Sequence, residues 1–298
     1  LLSRGLGDVY KRQEWNHRSG FRLKGRLGLT KTFKEDNDYK PAKHTDFDSY
    51  EGEDYFRRGT YSLSTGQSWA WDGNITLSYS KVLREKHQLY FGADASAGET
   101  SNYSYSIVAE GFNNENYDFF GKGAAYKDKP GGSESTTRRV GFTGTFNYTY
   151  DNRYFVDGSV RMDGASTFGG TNKFAPFWSV GAGWNLHKEK FIRNTGLFST
   201  LRLRASFGQT GSQQFAPYES LTSYDFYLDD RYMLWNGAKL KGHANEDLKW
   251  QTTNQFNAGV EIGLWGNRLS FQVDVYNKKT IDLLSTINVP TSTGFGTY

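Results

Sequence analysis

The chain has 298 residues, with 36 Lys and Arg against 32 Asp and Glu, 17% aromatic residues and no cysteine. Without cysteine there is no disulfide framework and no thiolate metal site, the interspersed and nearly balanced charges exclude a nucleic-acid footprint, and no apolar run reaches the roughly 18 residues of a membrane helix. Gly (34), Phe (22) and Tyr (20) are abundant while Pro stops at 5, which suits strands and tight turns, and a β-strand crosses a bilayer with only about 9–11 residues, every second one apolar.

The chain begins with an anomaly. Ser3 to Gln13 read SRGLGDVYKRQ, which is similar to the translation of a transposase-end adapter used in short-read sequencing libraries. Residues 1–13 are therefore set aside as non-native, as a fusion scar would be, and residues 14–298 are read as the protein.

Period-two alternation, the signature of β-structure, begins at Phe21. Phe21, Leu23, Leu27, Leu29 and Phe33 share one face, and Arg22, Lys24 and Arg26 the other. The pattern returns at Trp69 to Tyr79, Leu89 to Asp94, Val140 to Tyr150, Tyr154 to Asp163 and Trp178 to Leu186. It returns again at Leu201 to Gly208, Gln255 to Leu264 and Leu269 to Tyr276. This predicts about nine strands, several longer than the five or six residues usual in soluble proteins.

The connections broadly alternate in length, with a medium pair, Gly164 to Lys173 and His187 to Thr200, in the middle. Lys34 to Gln67, Ala95 to Thr137 and Gln209 to Lys249 are long and polar. Val82 to Lys86, Asp151-Asn152-Arg153 and Trp265-Gly266-Asn267 are short. Long loops outside and short periplasmic turns are the pattern of an outer-membrane barrel. Trp178 and Trp184 share a face six residues apart, about 20 Å along a strand, comparable to the roughly 25 Å between aromatic girdles. The apolar faces carry essentially no mid-strand charge, while the opposite faces carry Arg22, Arg26, Asp72, Asp157, Arg161, Arg204 and Glu261. The predicted fold is all-β: part of a transmembrane antiparallel up-and-down β-barrel, with short periplasmic turns and long extracellular loops. An odd strand count does not close a bacterial single-chain barrel, so the stretch reads as a partial barrel.

Several segments resemble one family. These are Arg161-Met162-Asp163-Gly164-Ala165-Ser166-Thr167-Phe168-Gly169 with Pro176 to Ser179 and Gly183-Trp184, then Leu203 to Gly211, Trp250 to Gly259 and Asn267 to Thr280. In order and spacing they resemble the SusC/RagA-like TonB-dependent outer-membrane transporters of Bacteroidota, with Gln251 where Glu is common. Residues 14–137 share only the character of that family. The resemblance implies a 22-stranded barrel with an N-terminal plug, so that residues 14–298 are a partial barrel lacking the plug and the last strands. It also implies uptake of a large nutrient, a glycan or peptide, powered by the TonB complex through the plug. A SusD-like surface lipoprotein would act as lid, and outer-membrane lipid would surround the wall. A non-energised porin-like barrel and a secreted β-rich carbohydrate-binding protein are the competing readings.

The residues give little support to catalysis. His17, His44, His87, His187 and His243 fall in loops or turns without metal-ligand spacing. The run Asp46, Asp48, Glu51, Glu53 and Asp54 is acidic but lacks the order of a calcium loop. Neither enzyme, cofactor nor metal is expected. The candidate substrate-binding residues are the aromatics of one long loop, Tyr218, Tyr224, Phe226, Tyr227, Tyr232 and Trp235, with Phe215 preceding them. Exposed rings with a polar handle suit sugar or peptide contact, although packing within the loop or against a lid competes with that role.

Overall fold

The computed structural model describes residues 2–168, 173–213, 217–242, 245, 248–285, 287–290 and 292. All nine predicted strands form. They are β2 (Phe21–Lys40), β3 (Thr60–Leu83), β4 (His87–Glu110), β6 (Gly131–Tyr150), β7 (Tyr154–Ala165), β8 (Phe174–Asn185), β9 (Phe198–Ser212), β12 (Gln251–Leu264) and β13 (Leu269–Ile281). With β1 (Leu2–Asn16) and the two-residue β5 (Ala125–Tyr126) they make an eleven-stranded sheet. Its order is β1-β2-β3-β4-β6-β7-β8-β9-β12-β13, with β5 on β4. Neighbours in sequence are thus neighbours in the sheet, the up-and-down topology expected. β10 (Ser223–Tyr232) and β11 (Trp235–Gly242) form a separate two-stranded sheet.

Three departures from the sequence reading have physical causes. First, β1 occupies the stretch set aside as adapter-derived. Edge pairing uses backbone groups that every residue but proline carries, so a non-native sequence can extend a sheet. Second, β3 begins at Thr60 and β4 runs to Glu110, well inside segments read as loops. Alternation betrays a strand only where one face must be apolar. In Thr60 to Gln67 and Ala97 to Ser106 one face is almost wholly Ser, Thr, Gly and Asn, and the other mixes Tyr61 and Leu63, or Tyr103 and Tyr105, with polar residues, so the ladder continues there with too short an apolar stripe to read. Third, the loop Gln209 to Lys249 contains the β10–β11 hairpin, whose faces are discussed below.

The chain divides into two compact units: residues 1–12, 26–73 and 97–138, and residues 13–25, 74–96 and 139–298. The first holds a small core. Phe112 is fully buried, with Phe47 and Ala109 nearly so. Tyr39 meets Phe112 edge-on at 5.5 Å, and Tyr61 lies 6.3 Å from it. Gly59 and Gly111, both at φ +81°, let two chain reversals meet through a Gly111 N–H to Gly59 carbonyl bond of 3.0 Å, a conformation glycine adopts without strain. The Arg57 guanidinium forks onto the buried Glu110 carboxylate at 2.7 and 3.2 Å and also reaches Asp54 at 3.0 Å.

The acidic run read from the sequence is dispersed by such pairs. Asp46 takes Lys40 and Asp54 takes Arg57. The hydrogen bond from Lys40 holds the Asp46 carboxyl below its ordinary range. Among the described residues no group of three metal-ligating side chains converges.

The second unit holds most of the ladder. β7 pairs β8 with Val160 opposite Trp178 and Gly158 opposite Val180, and β8 pairs β9 with Val180 opposite Phe207. These rows form one continuous apolar face, exposed throughout. Its short-turn end carries a belt of rings. His87 lies 5.1 Å from Tyr150, Tyr150 6.4 Å from Tyr154, and Tyr154 5.9 Å from Trp184. Phe21 and Tyr79 add a pair at 4.6 Å. Such rings suit a membrane–water interface, where one side is apolar and the other wet. The belt is pinned by Glu189, which accepts from Tyr154 Oη at 2.8 Å, Trp184 Nε1 at 3.2 Å and Arg153 at 3.3 Å. The bond from Tyr154, then that from Trp184, keeps the Glu189 carboxyl below its ordinary range. The short turns are tight because Arg84 and Glu85, and again Asp151 and Asn152, have positive φ, the two-residue geometry that matches strand twist.

On the opposite face the charges pair within the wall. Arg202 meets Glu261 at 3.4 Å and Arg204 meets Asp274 at 2.7 Å. Arg161 meets Asp163, and Asn74 and Thr76 both donate to Asp94. Phe155 and Phe177 lie flat over Gly183 and Gly211 on the next strand, where any Cβ would collide with the ring.

Candidate functional site

The candidate aromatics sit on and around the β10–β11 hairpin. Tyr224 pairs with Leu240 and Phe226 with Ala238, while Asp225 between them pairs with Lys239. The alternation gives the ribbon two unlike faces. One carries Tyr224, Phe226, Ala238 and Leu240. The other carries Asp225, Lys239 and Lys241, and Lys241 reaches Asp225 at 3.1 Å. Tyr224 and Phe226 are well exposed. Tyr227 stands opposite Gly237 and Tyr232 opposite Trp235, with an irregularity between Tyr227 and Arg231. Trp235 is 77% exposed beside the turn. Tyr218 lies apart, in a turn before β10, at φ +72° and half exposed. Phe215 lies outside the described residues, as does Gly169 of the motif after β7.

The structure therefore brings Tyr224 and Phe226 together on one face, puts Trp235 at the hairpin end, and leaves Tyr218 at the base. Two residues at the end were missed. Met233 and Leu234 form the turn and are 78% and 95% exposed. Their apolarity in a turn was the available signal, since turns are ordinarily polar.

The base of the hairpin is anchored by a buried cluster of Ala165, Phe168, Phe177, Leu248 and Trp250. Phe168 stacks on Trp250 at 4.6 Å and 22°, and Phe177 meets it edge-on at 5.8 Å. Ser220, itself buried, donates to the Thr167 carbonyl at 3.3 Å, and Thr167 donates to Gln213 at 3.2 Å. Asn245 N–H bonds the Glu219 carbonyl at 3.2 Å. The segments entering and leaving the hairpin are thus tied to each other and to the ends of β7, β8 and β12. The arrangement is a fixed base carrying exposed rings, which can contact a large ligand by stacking and apolar burial. Among the described residues no group of three metal-ligating side chains lies there.

A wall with one apolar face uncharged at mid-strand, one ion-paired polar face and long loops alternating with short turns defines a segment of a membrane β-barrel. The comparisons with known proteins agree. The family model described as TonB dependent receptor-like, beta-barrel matches residues 3–298. The chain belongs to that family, and within it is SusC/RagA-like. It is 35% identical over 176 residues to TonB-dependent receptor P3 of Formosa agariphila, covering 58% of this chain and 17% of that protein. It is 29% identical over 244 residues to TonB-dependent receptor SusC of Bacteroides thetaiotaomicron, covering 76% and 24%. The solved RagAB peptide transporter matches with a TM-score of 0.85 at 25% identity, over 97% of this chain and 31% of that one. The chain thus spans about a sixth to a quarter of the length of these curated relatives.

Proposed function

We propose that the chain is part of the barrel wall of an outer-membrane, TonB-dependent transporter that takes up a large nutrient such as a glycan or peptide, and that it is not an enzyme. The observation that carries this reading is the sheet itself, whose consecutive antiparallel order and apolar outer face, free of charge at mid-strand, belong to a chain that matches the TonB-dependent receptor barrel over residues 3–298. The likeness to SusC and to the RagAB peptide transporter supports a glycan or peptide as cargo. It also supports a SusD-like surface lipoprotein and the TonB complex as partners, the latter through a plug domain. Tyr218, Tyr224, Phe226, Tyr227, Tyr232 and Trp235 are the cargo-contacting residues in this proposal.

The test is binding of glycan and peptide libraries to the full-length protein, purified with and without its lipoprotein neighbour. Ala at Tyr224, Phe226 or Trp235 is expected to weaken cargo binding by about 1–3 kcal/mol each, the worth of a buried aromatic contact. The barrel's heat-modifiable gel mobility should not change. Cargo binding unaffected in all three variants removes the hairpin from the site, while loss of lipoprotein binding alone makes it a lid contact.

Residues 1–13 are proposed to be adapter-derived. Long-read sequencing of the source DNA is expected to show a different coding sequence upstream of Glu14, and an intact reading frame encoding SRGLGDVYKRQ in the genome would refute this.

A further inference from the structure

Two hollows of about 740 and 770 Å³ adjoin on the apolar face of the second unit, sharing Leu77, Ala93, Gly144, Val160 and Trp178. Their floor is made of small residues. Ala93 and Gly144 are floor residues of both, and Gly158 of the first. One side is the Phe91–Phe146 pair, with centroids 5.0 Å apart. The lining of this channel comes from six neighbouring strands, β2, β3, β4, β6, β7 and β8, and extends from Phe21 and Tyr79 in the ring belt to Met162 and Pro176. From Gly158 to Met162 that is about 13 Å at 3.3 Å per residue.

A second observation lies at its short-turn end. Lys81 follows Tyr79 by two residues on β3 and so continues the same face. Arg84 and Lys86 stand in the adjoining turn. No hydrogen bond or ion pair joins Lys81, Arg84 or Lys86 side chains to any described residue. The acidic groups close by are Glu85 in the same turn and Asp151 in the next, and Asp151 is already paired with Arg153 at 3.0 Å. Three cations against one unpaired carboxylate therefore border the channel, in whose lining the only charged residues are Asp94 and Arg161, bonded to Thr76 and Asp163 respectively.

We infer that this channel is a phospholipid site, holding one acyl chain over Ala93, Gly144 and Gly158 and an anionic headgroup at Lys81, Arg84 and Lys86. The inference rests on the membrane reading proposed above. A face in contact with hydrocarbon has acyl chains as its solvent, and the small residues Ala93, Gly144 and Gly158 leave room for one of them. A protein knob would need no cations at one end only. The cations sit at the short-turn end, which faces the periplasm, so the lipid is one of the inner leaflet.

The experiment is native mass spectrometry of the full-length barrel, delipidated in mild detergent and offered phosphatidylglycerol or phosphatidylcholine. The wild type should retain one phosphatidylglycerol in preference to phosphatidylcholine. A93F/G158L fills the channel. A Cβ at Gly158 meets nothing closer than 3.8 Å, so the wall should tolerate it, and retention should fall about tenfold. K81Q/R84Q/K86Q leaves the channel intact and should abolish the preference for the anionic lipid, a change of up to about a hundredfold given the usual worth of each of three cations at an anionic surface. Equal retention in wild type and A93F/G158L overturns the inference. So does loss of a dimer, rather than of a lipid, in that variant, which makes a second copy the occupant. If A93F/G158L fails to fold, an unchanged lipid preference in the triple-Gln variant overturns it alone. A protein that stays soluble without detergent overturns the membrane reading instead.

Discussion

Val180→Arg is expected to destabilise the barrel by roughly 2–4 kcal/mol, the cost of an arginine at the bilayer midplane on the lipid side of a strand. Val180 is the seventh residue of the twelve-residue β8. Its cross-strand neighbours are Gly158 and Phe207, so no carboxylate is within reach and the guanidinium can only snorkel. Asn147→Arg is the matched control. Asn147 is exposed on the opposite face and stands opposite Asp157, for which no described partner is found, so an arginine there can gain an ion pair and should change stability by less than about 0.5 kcal/mol. Urea unfolding of the full-length protein in detergent or bilayers reads both. Equal effects of the two substitutions would mean that the faces have been assigned wrongly, and the membrane reading would go with them.

Trp250→Ala is expected to cost about 3–5 kcal/mol in the cluster beneath the hairpin, the range for truncating a buried aromatic. The indole is only 8% exposed and stacks on Phe168, which is 1% exposed. Removing it leaves Phe168 and Phe177 facing a cavity, and unties the segment that leaves the hairpin from the ends of β7 and β8. Limited proteolysis between residues 213 and 250 should accelerate before global unfolding changes by as much. Trp250→Phe separates packing from polarity. The indole Nε1 is buried without a hydrogen-bond partner among the described residues, and a buried unsatisfied donor costs about 1–3 kcal/mol. Phe keeps most of the ring and discards that donor, so its net effect should be small or favourable. A loss as large as that of the alanine variant would show that the N–H is satisfied in the folded protein, by water for example.

How much of this was legible in the sequence follows from the period of β-structure. Wherever one face of a strand must be apolar, side chains alternate, and so Phe21 to Phe33, Tyr154 to Met162 and Phe256 to Leu264 disclosed both their strands and their faces. The tight turns were legible at Asp151-Asn152 because those residue types accept positive φ. Where the apolar face shrinks to two residues, as with Tyr61 and Leu63 in Thr60 to Gln67, the alternation is too short to read, and only the paired structure showed that β3 begins there.

The site divides in the same way. The aromatic run from Tyr218 to Trp235 was visible as composition. That Tyr224 and Phe226 share a face with Ala238 and Leu240 depends on the register of β10 with β11, which no local signal states. Phe168, Phe177 and Trp250 were readable as family-like motif positions at strand ends, yet their meeting in one cluster joins residues up to 82 positions apart. The same holds for the ion pairs, since Arg204 and Asp274 are neighbours only through the glycine between them on β12. Sequence alone determined the strands, the turns and the two faces, because these are set by neighbours along the chain. Which side chains touch was decided by register, because cross-strand pairing is fixed only when the whole ladder closes.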